Sequence, residues 1–156
     1  MLSNTKCLRL HFMSETFQKK SDAIKKFFIQ FSTAEDRYNA LIDRGRKLPL
    51  FPTDQKISQN LVSGCQSNLY LISRMVDGLV YFEAASDALI SAGLAAILIS
   101  VYTGESPATI LKTPPQFLFD LGIHASLSPN RSNGLANIHL RMKQDALNFL
   151  VLLNNS

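Results

Sequence analysis

Apolar residues near the start of the chain recur at helical spacing, with Phe17, Ile24, Phe28 and Phe31 falling on one face. Ser32 followed by Glu35 has the form of a capping box and predicts a second helix, carrying Tyr38, Leu41 and Ile42 inward. Gly45 to Pro52 breaks the periodicity. A polar run from Thr53 to Asn60 then predicts a loop, continued by the short segment Leu61–Ser67. Leu69 to Met75 and Leu79 to Ala84 flank Asp77-Gly78, the pair that suits a tight turn with positive φ at both central residues, so two antiparallel strands are expected there.

The uncharged run Ala88 to Gly104 has 17 residues and contains Ser91, Gly93 and Ser100, so a buried core helix suits it better than a bilayer span. Its bulky residues Ile90, Leu94, Ile97, Leu98 and Val101 share a face, and Ala92, Ala95 and Ala96 permit close packing elsewhere. Ser86 is placed to cap it. Ser106-Pro107, Thr113-Pro114 and Ser128-Pro129 each predict a helix start, a capping hydroxyl followed by a proline whose missing N–H costs nothing. In the last helix Leu135, Ile138, Met142, Ala146, Phe149 and Leu153 line one side, with Arg141, Lys143 and Asp145 on the opposite, polar side. A small antiparallel sheet with helices from both ends of the chain packed on it is an α+β fold.

Length and composition fit one domain. The chain has 156 residues, 46% of them hydrophobic, with seven Gly and six Pro, which excludes fibrous and low-complexity classes. The formal charge of +4 looks like a nucleic-acid signal until it is placed. Residues 1 to 30 hold six bases and two acids, and the other 126 residues hold ten of each sign. The body is balanced and offers no basic groove with stacking aromatics, so neither nucleic acid nor membrane is an expected partner. No secretory signal is expected in residues 1 to 17, which lack an apolar core segment. Two cysteines and three histidines make neither a disulfide framework nor a closed zinc site, and they point to a cytoplasmic setting.

Cys65 stands out chemically. It sits in Ser63-Gly64-Cys65-Gln66-Ser67, a small polar loop running directly into a strand, where Gly64 allows a tight turn and Gln66 and Ser67 offer hydrogen bonds to a sulfur anion. A buried inert thiol is the competing reading of these residues alone. Arg131 falls in the first turn of the last helix, the end where a cation is least favoured, which suggests a task such as pairing with a carboxylate, thiolate or persulfide. Asp87, an acid at a helix start, is explained by dipole compensation. His139 is expected to be a partly exposed surface group and His124 a loop residue, and Cys7 carries no signal.

Four stretches taken in order resemble the SufE family. They are Glu35-Asp36-Arg37-Tyr38 leading to Gly45-Arg46-Lys47-Leu48-Pro49; Val62-Ser63-Gly64-Cys65-Gln66-Ser67; Ser86-Asp87-Ala88 through Gly93-Leu94-Ala95-Ala96; and Leu127-Ser128-Pro129-Asn130-Arg131-Ser132-Asn133-Gly134-Leu135. The resemblance runs from about residue 18 to the C-terminus, so residues 1 to 17 are expected to be a poorly ordered extension and 18 to 156 a single domain. It implies a sulfur acceptor in iron–sulfur cluster assembly, with Cys65 taking sulfur from a cysteine desulfurase that carries the pyridoxal phosphate. This chain would bind no cofactor or metal and would pass sulfur to a cluster scaffold. The resemblance also implies that Arg131 and Asp87 lie near the cysteine or the docking surface, and it leaves a homodimer open.

The chain departs from the family pattern in having Tyr70 for a tryptophan, Ser126 for a histidine, Asn130 for a serine and Ala85 for an acid, so no role is carried to His124 or Ser126. A sulfur carrier also has to shield its persulfide, and an apolar pocket lined by Leu61, Val62 and Leu69 is expected around Cys65. Two other classes compete with a carrier. One is a regulator that docks on a desulfurase without taking sulfur; the other is a thiol enzyme pairing Cys65 with His124 or His139.

Overall fold

The fold is taken from a computed structural model of the chain that describes residues 14–124 and 127–156. Its elements are α1 (Glu15–Ile29), α2 (Ala34–Arg46), β1 (Leu69–Val76), β2 (Leu79–Ser86), α3 (Leu89–Tyr102), α4 (Pro107–Lys112) and α5 (Pro129–Asn154). Short 3₁₀ turns occur at Thr53–Gln55, Ser58–Asn60 and Gln116–Leu121. The α+β expectation holds, and β1 and β2 form a two-stranded antiparallel sheet.

The architecture is organised around α3. Ile90, Leu94, Ala95, Ile97, Leu98, Val101 and Tyr102 are all buried, so the helix is covered on nearly every side. α2, β2, α5 and α1 all pack on it. The crossing with α2 is a backbone contact. A Cβ on Gly93 would fall inside contact distance of the Leu41 carbonyl, and one on Gly45 would meet the Gly93 amide at 2.5 Å. The hairpin runs in register from Leu69↔Ser86 to Val76↔Leu79, and its inner face contributes Leu69, Leu71, Val80, Phe82 and Ala84 to the core. Asp77 (φ 52°) and Gly78 (φ 78°) make the turn with both central residues left-handed, as their sequence requires.

Several helix ends differ from the sequence expectation. Thr33, not Ser32, caps α2, accepting from the Asp36 amide at 3.1 Å, because a second Thr-x-x-Asp frame lies one residue on. Ser86 remains paired in β2, and its hydroxyl accepts from Ala88 N at 3.2 Å, so α3 starts at Leu89. Thr113 closes α4 instead of opening a helix. The consecutive prolines 114 and 115 keep that stretch out of the helical region, and only a 3₁₀ turn follows. Ser106 and Ser128 cap α4 and α5 as expected. Leu153 is exposed, since α5 is 26 residues long and outruns the elements that cover it.

Residues 15 to 17, expected within the extension, form the first turn of α1. Thr16 donates to the buried Glu105 carboxylate at 2.7 Å, and the Phe17 ring packs edge-on against Tyr102 and Phe117. The rest of the expected extension, apart from Ser14, lies outside the described residues, as does Cys7.

The α2–α3 crossing yields a paired prediction. Helix propensity alone favours alanine over glycine by about 1 kcal/mol, yet Gly93→Ala forces two backbones apart and is expected to destabilise by about 1–3 kcal/mol. Gly134→Ala, where a Cβ meets nothing within 4 Å, is expected to be neutral or stabilising. Urea unfolding of both variants checks this, and Gly93→Ala at or above wild-type stability would contradict it.

Candidate functional site

Cys65 leaves the core at a tight bend. Val62 is pinned by its amide to the Leu69 carbonyl (2.9 Å), Leu61 bridges Tyr70, and Gly64 adopts φ 81°. Gly64 is favoured by the left-handed backbone, and it lies against the Asn137 side chain on α5, which a Cβ there would push aside. On the far side of the bend the Ser67 and Ser91 hydroxyls hydrogen-bond at 2.8 Å, and the Asp87 amide donates to the Asn68 carbonyl at 3.4 Å. Both ends of the loop are therefore fixed to regular structure.

Between this loop, the start of α3 and the start of α5 lies a cavity of about 200 Å³. Cys65, Gln66 and Ser67 form one wall, Ser91 and Leu94 a second, and Asn130, Arg131, Gly134 and Ile138 a third. Cys65, Gln66, Ser67 and Arg131 thus meet at one place although Arg131 is 66 residues away in sequence. Asp87 does not line the cavity; it is exposed at the rim, next to the lining residue Ala88. Gly64 shapes the bend without entering the cavity. The expected walls Leu61, Val62 and Leu69 are not the lining, because Val62 and Leu69 belong to the main core beneath and the apolar surface comes from Leu94 and Ile138.

The electrostatics have two opposed parts. Cys65 is half-buried, and burial pushes its thiol above the ordinary range, so the resting side chain is protonated at neutral pH. Against this stands the N-terminus of α5, where the helix dipole and the Arg131 side chain bring positive charge to the same cavity. An anion formed at Cys65 would face that charge. Burial and nearby positive charge thus act on the thiol in opposite directions.

Neither histidine joins Cys65. His124 stacks on Phe119 (4.8 Å between centroids), and His139 lies against Tyr102 (5.2 Å); both line a separate, mostly apolar cavity of about 330 Å³ on another face of α5. His139 is partly exposed, as expected, but its ring edge turns inward. Its Nε2 is sealed from solvent without a hydrogen-bond partner among the described residues, and burial, helped by Lys143, pulls its pKa down to about 4. No group of three or more His, Cys, Asp or Glu able to hold a metal occurs among the described residues, and no helix among them is long and apolar enough to cross a membrane.

Sequence reasoning missed Arg141 and Asp145, which it placed on the polar side. They face the Cys65 loop instead, because the loop and β1 pack along that flank of α5. Arg141 Nη1 donates to the Leu61 carbonyl (3.2 Å), Nη2 to the Gln59 carbonyl (3.1 Å) and Nε to Asp145 (3.0 Å), whose other oxygen accepts from Ser73 (2.8 Å). Their i,i+4 spacing beside core positions Ile138 and Met142 was the available signal.

Fold and site together define a small α+β protein presenting a half-buried thiol on a loop, opposite an arginine at a helix start. Residues 22–146 match the SufE family profile, described as an Fe-S metabolism associated domain, and the chain belongs to that family. It is 35% identical over 135 residues to an uncharacterised SufE-like protein of Synechocystis sp., covering 86% of this chain and 78% of that one. It is also 32% identical over 117 residues to the sulfur acceptor protein CsdE of Escherichia coli, covering 74% and 80%. A solution structure of a hypothetical protein from Thermus thermophilus shares the fold with a TM-score of 0.70 at 24% identity, covering 85% of this chain and 96% of that one.

The sealed Nε2 of His139 gives the pH prediction. Its folded pKa lies below the ordinary 6.5, so between about 6.5 and about 4 the unfolded chain binds more protons and stability falls as pH falls, by up to about 3 kcal/mol. The contribution is whole above about 6.5. His139→Phe, which keeps a ring against Tyr102, is expected to remove that part of the acid loss. Unfolding curves of wild type and variant across this range check it, and parallel losses would contradict it.

Proposed function

We propose that the protein is a sulfur acceptor that takes persulfide sulfur from a pyridoxal-phosphate-dependent cysteine desulfurase onto Cys65, stimulates that enzyme by unloading it, and passes the sulfur to an iron–sulfur scaffold. The observation that carries this reading is the shared cavity, with the Cys65 thiol on one wall and Arg131 at the positive end of α5 on another. Family membership and the similarity to a sulfur acceptor of Escherichia coli support it.

In the transfer, the Cys65 thiolate attacks the terminal sulfur of the partner's persulfide. The partner's S–S bond breaks, its cysteine leaves as thiolate, and a new S–S bond forms on Cys65, so no oxidant or reductant is consumed. The product is an anion whose charge Arg131 and the helix start stabilise. The protein needs no cofactor of its own and is not an enzyme in isolation, since the desulfurase supplies the activated sulfur. Attack requires the thiolate, which burial disfavours at rest, so docking has to expose Cys65 and with it lower its pKa. Asp87 and Leu89, the latter 51% exposed, stand beside the cavity mouth as docking contacts. The reading places the protein in the cytoplasm with its desulfurase.

A docking regulator that never takes sulfur would use the same rim. Cysteine turnover by the desulfurase separates the two: Cys65→Ser is expected to lose all stimulation while wild type accelerates turnover several-fold. Stimulation retained by Cys65→Ser would contradict the carrier.

A further inference from the structure

The loop carrying Cys65 and the helix carrying Arg131 are separate in sequence, and their relative position decides whether a sulfur anion meets the guanidinium. On α5, Gly134, Asn137, Ile138, Arg141 and Asp145 are spaced i, i+3, i+4, i+7 and i+11, a single stripe facing the loop. Its first part lines the cavity and abuts Gly64; its last part grips the loop stem. The grip is a fork. Two parallel guanidinium donors reach carbonyls on either side of Asn60, a geometry that fixes both translation and tilt where a single donor would fix neither. Arg141 is 21% exposed and Asp145 13%, and Ser73 on β1 holds Asp145 in place. The clasp therefore joins three elements at one point, ten residues and about 15 Å along the helix from Arg131.

We propose that Arg141 is a positioning residue for Cys65: by clamping the loop stem to α5 it sets the register between the thiol and Arg131. This deepens the sulfur-acceptor reading and rests on it for its purpose, but its test needs no desulfurase. The Arg131 charge is felt at Cys65 only when the two walls keep their spacing, so losing the fork loosens the anion preference of the thiol while the thiol itself remains.

The test is alkylation of Cys65 in the full chain with iodoacetate, which is anionic, and iodoacetamide, which is neutral. Cys7 is replaced by Ser throughout so that one thiol reports. The ratio of the two rates reads the positive charge at the thiol and cancels general exposure. Arg131→Gln is expected to lower that ratio several-fold and sets the floor. Arg141→Lys, which keeps the charge and loses the fork, and Ser73→Ala, which changes no charge and frees Asp145, are each expected to lower it by about twofold or more. A ratio unchanged in both variants, with either rate raised in step with the other, would leave Arg141 a purely structural clasp and overturn the proposal. An unchanged ratio in Arg131→Gln would overturn it as well, because there would then be no preference to position. Should Arg141→Lys fail to fold, Ser73→Ala alone decides. Failure of sulfur to arrive from a desulfurase while the ratios behave as stated would count against the sulfur-acceptor reading and not against the clamp.

Discussion

A helix without a polar face has to be covered on every side, and α3 is such a helix, with Ala92 to Leu98 buried without interruption. Water would otherwise meet a row of large aliphatic side chains, at about 25 cal/mol per Å² of exposed apolar surface. The hairpin, α1, α2 and α5 are arranged to prevent this, and the backbone contact at Gly45 and Gly93 lets α2 come close enough to seal its flank. The cover stops at the N-terminal end of α3. There the Cys65 loop and the start of α5 meet around Ser91 and Leu94, and the cavity is the gap that three elements leave as they converge.

That origin explains the character of the site. A thiol half-buried at the edge of a core is partly desolvated, which raises its pKa and keeps it protonated at rest. The charge needed to favour an anion is supplied from outside the core, by a helix start and an arginine, so the influences that oppose and favour the thiolate come from different parts of the fold. The balance between them changes when the loop moves, which makes the loop's attachments as consequential as the cysteine. Besides the backbone pairing of Leu61 and Val62 with β1, those attachments include a hydroxyl pair at Ser67 and Ser91, a glycine seated on Asn137, and the Arg141 fork.

Much of this was legible in the chain. Periodicity placed the helices, Asp77-Gly78 placed the hairpin, and the Cys65 loop and Arg131 stood out from their local chemistry before either was seen to share a cavity. What the sequence hid was tertiary. Thr33 and Ser32 both offer a capping hydroxyl, and only the path of the chain selects between them. His139 follows a core-facing isoleucine, and the sealing of its Nε2 goes with the Tyr102 ring approaching from α3. Arg141 and Asp145 have the composition of a solvated face, yet the backbone carbonyls that Arg141 binds belong to a loop some 80 residues away, which no local pattern records.

The central claim is that Cys65 receives sulfur. Incubation of wild type and Cys65→Ser with an active cysteine desulfurase and cysteine, without reductant, followed by intact-mass measurement, tests it most directly. The account predicts a gain of one sulfur atom on wild type, reversed by reductant and absent from Cys65→Ser. No gain on wild type from a desulfurase whose turnover the protein stimulates in the same tube would contradict it.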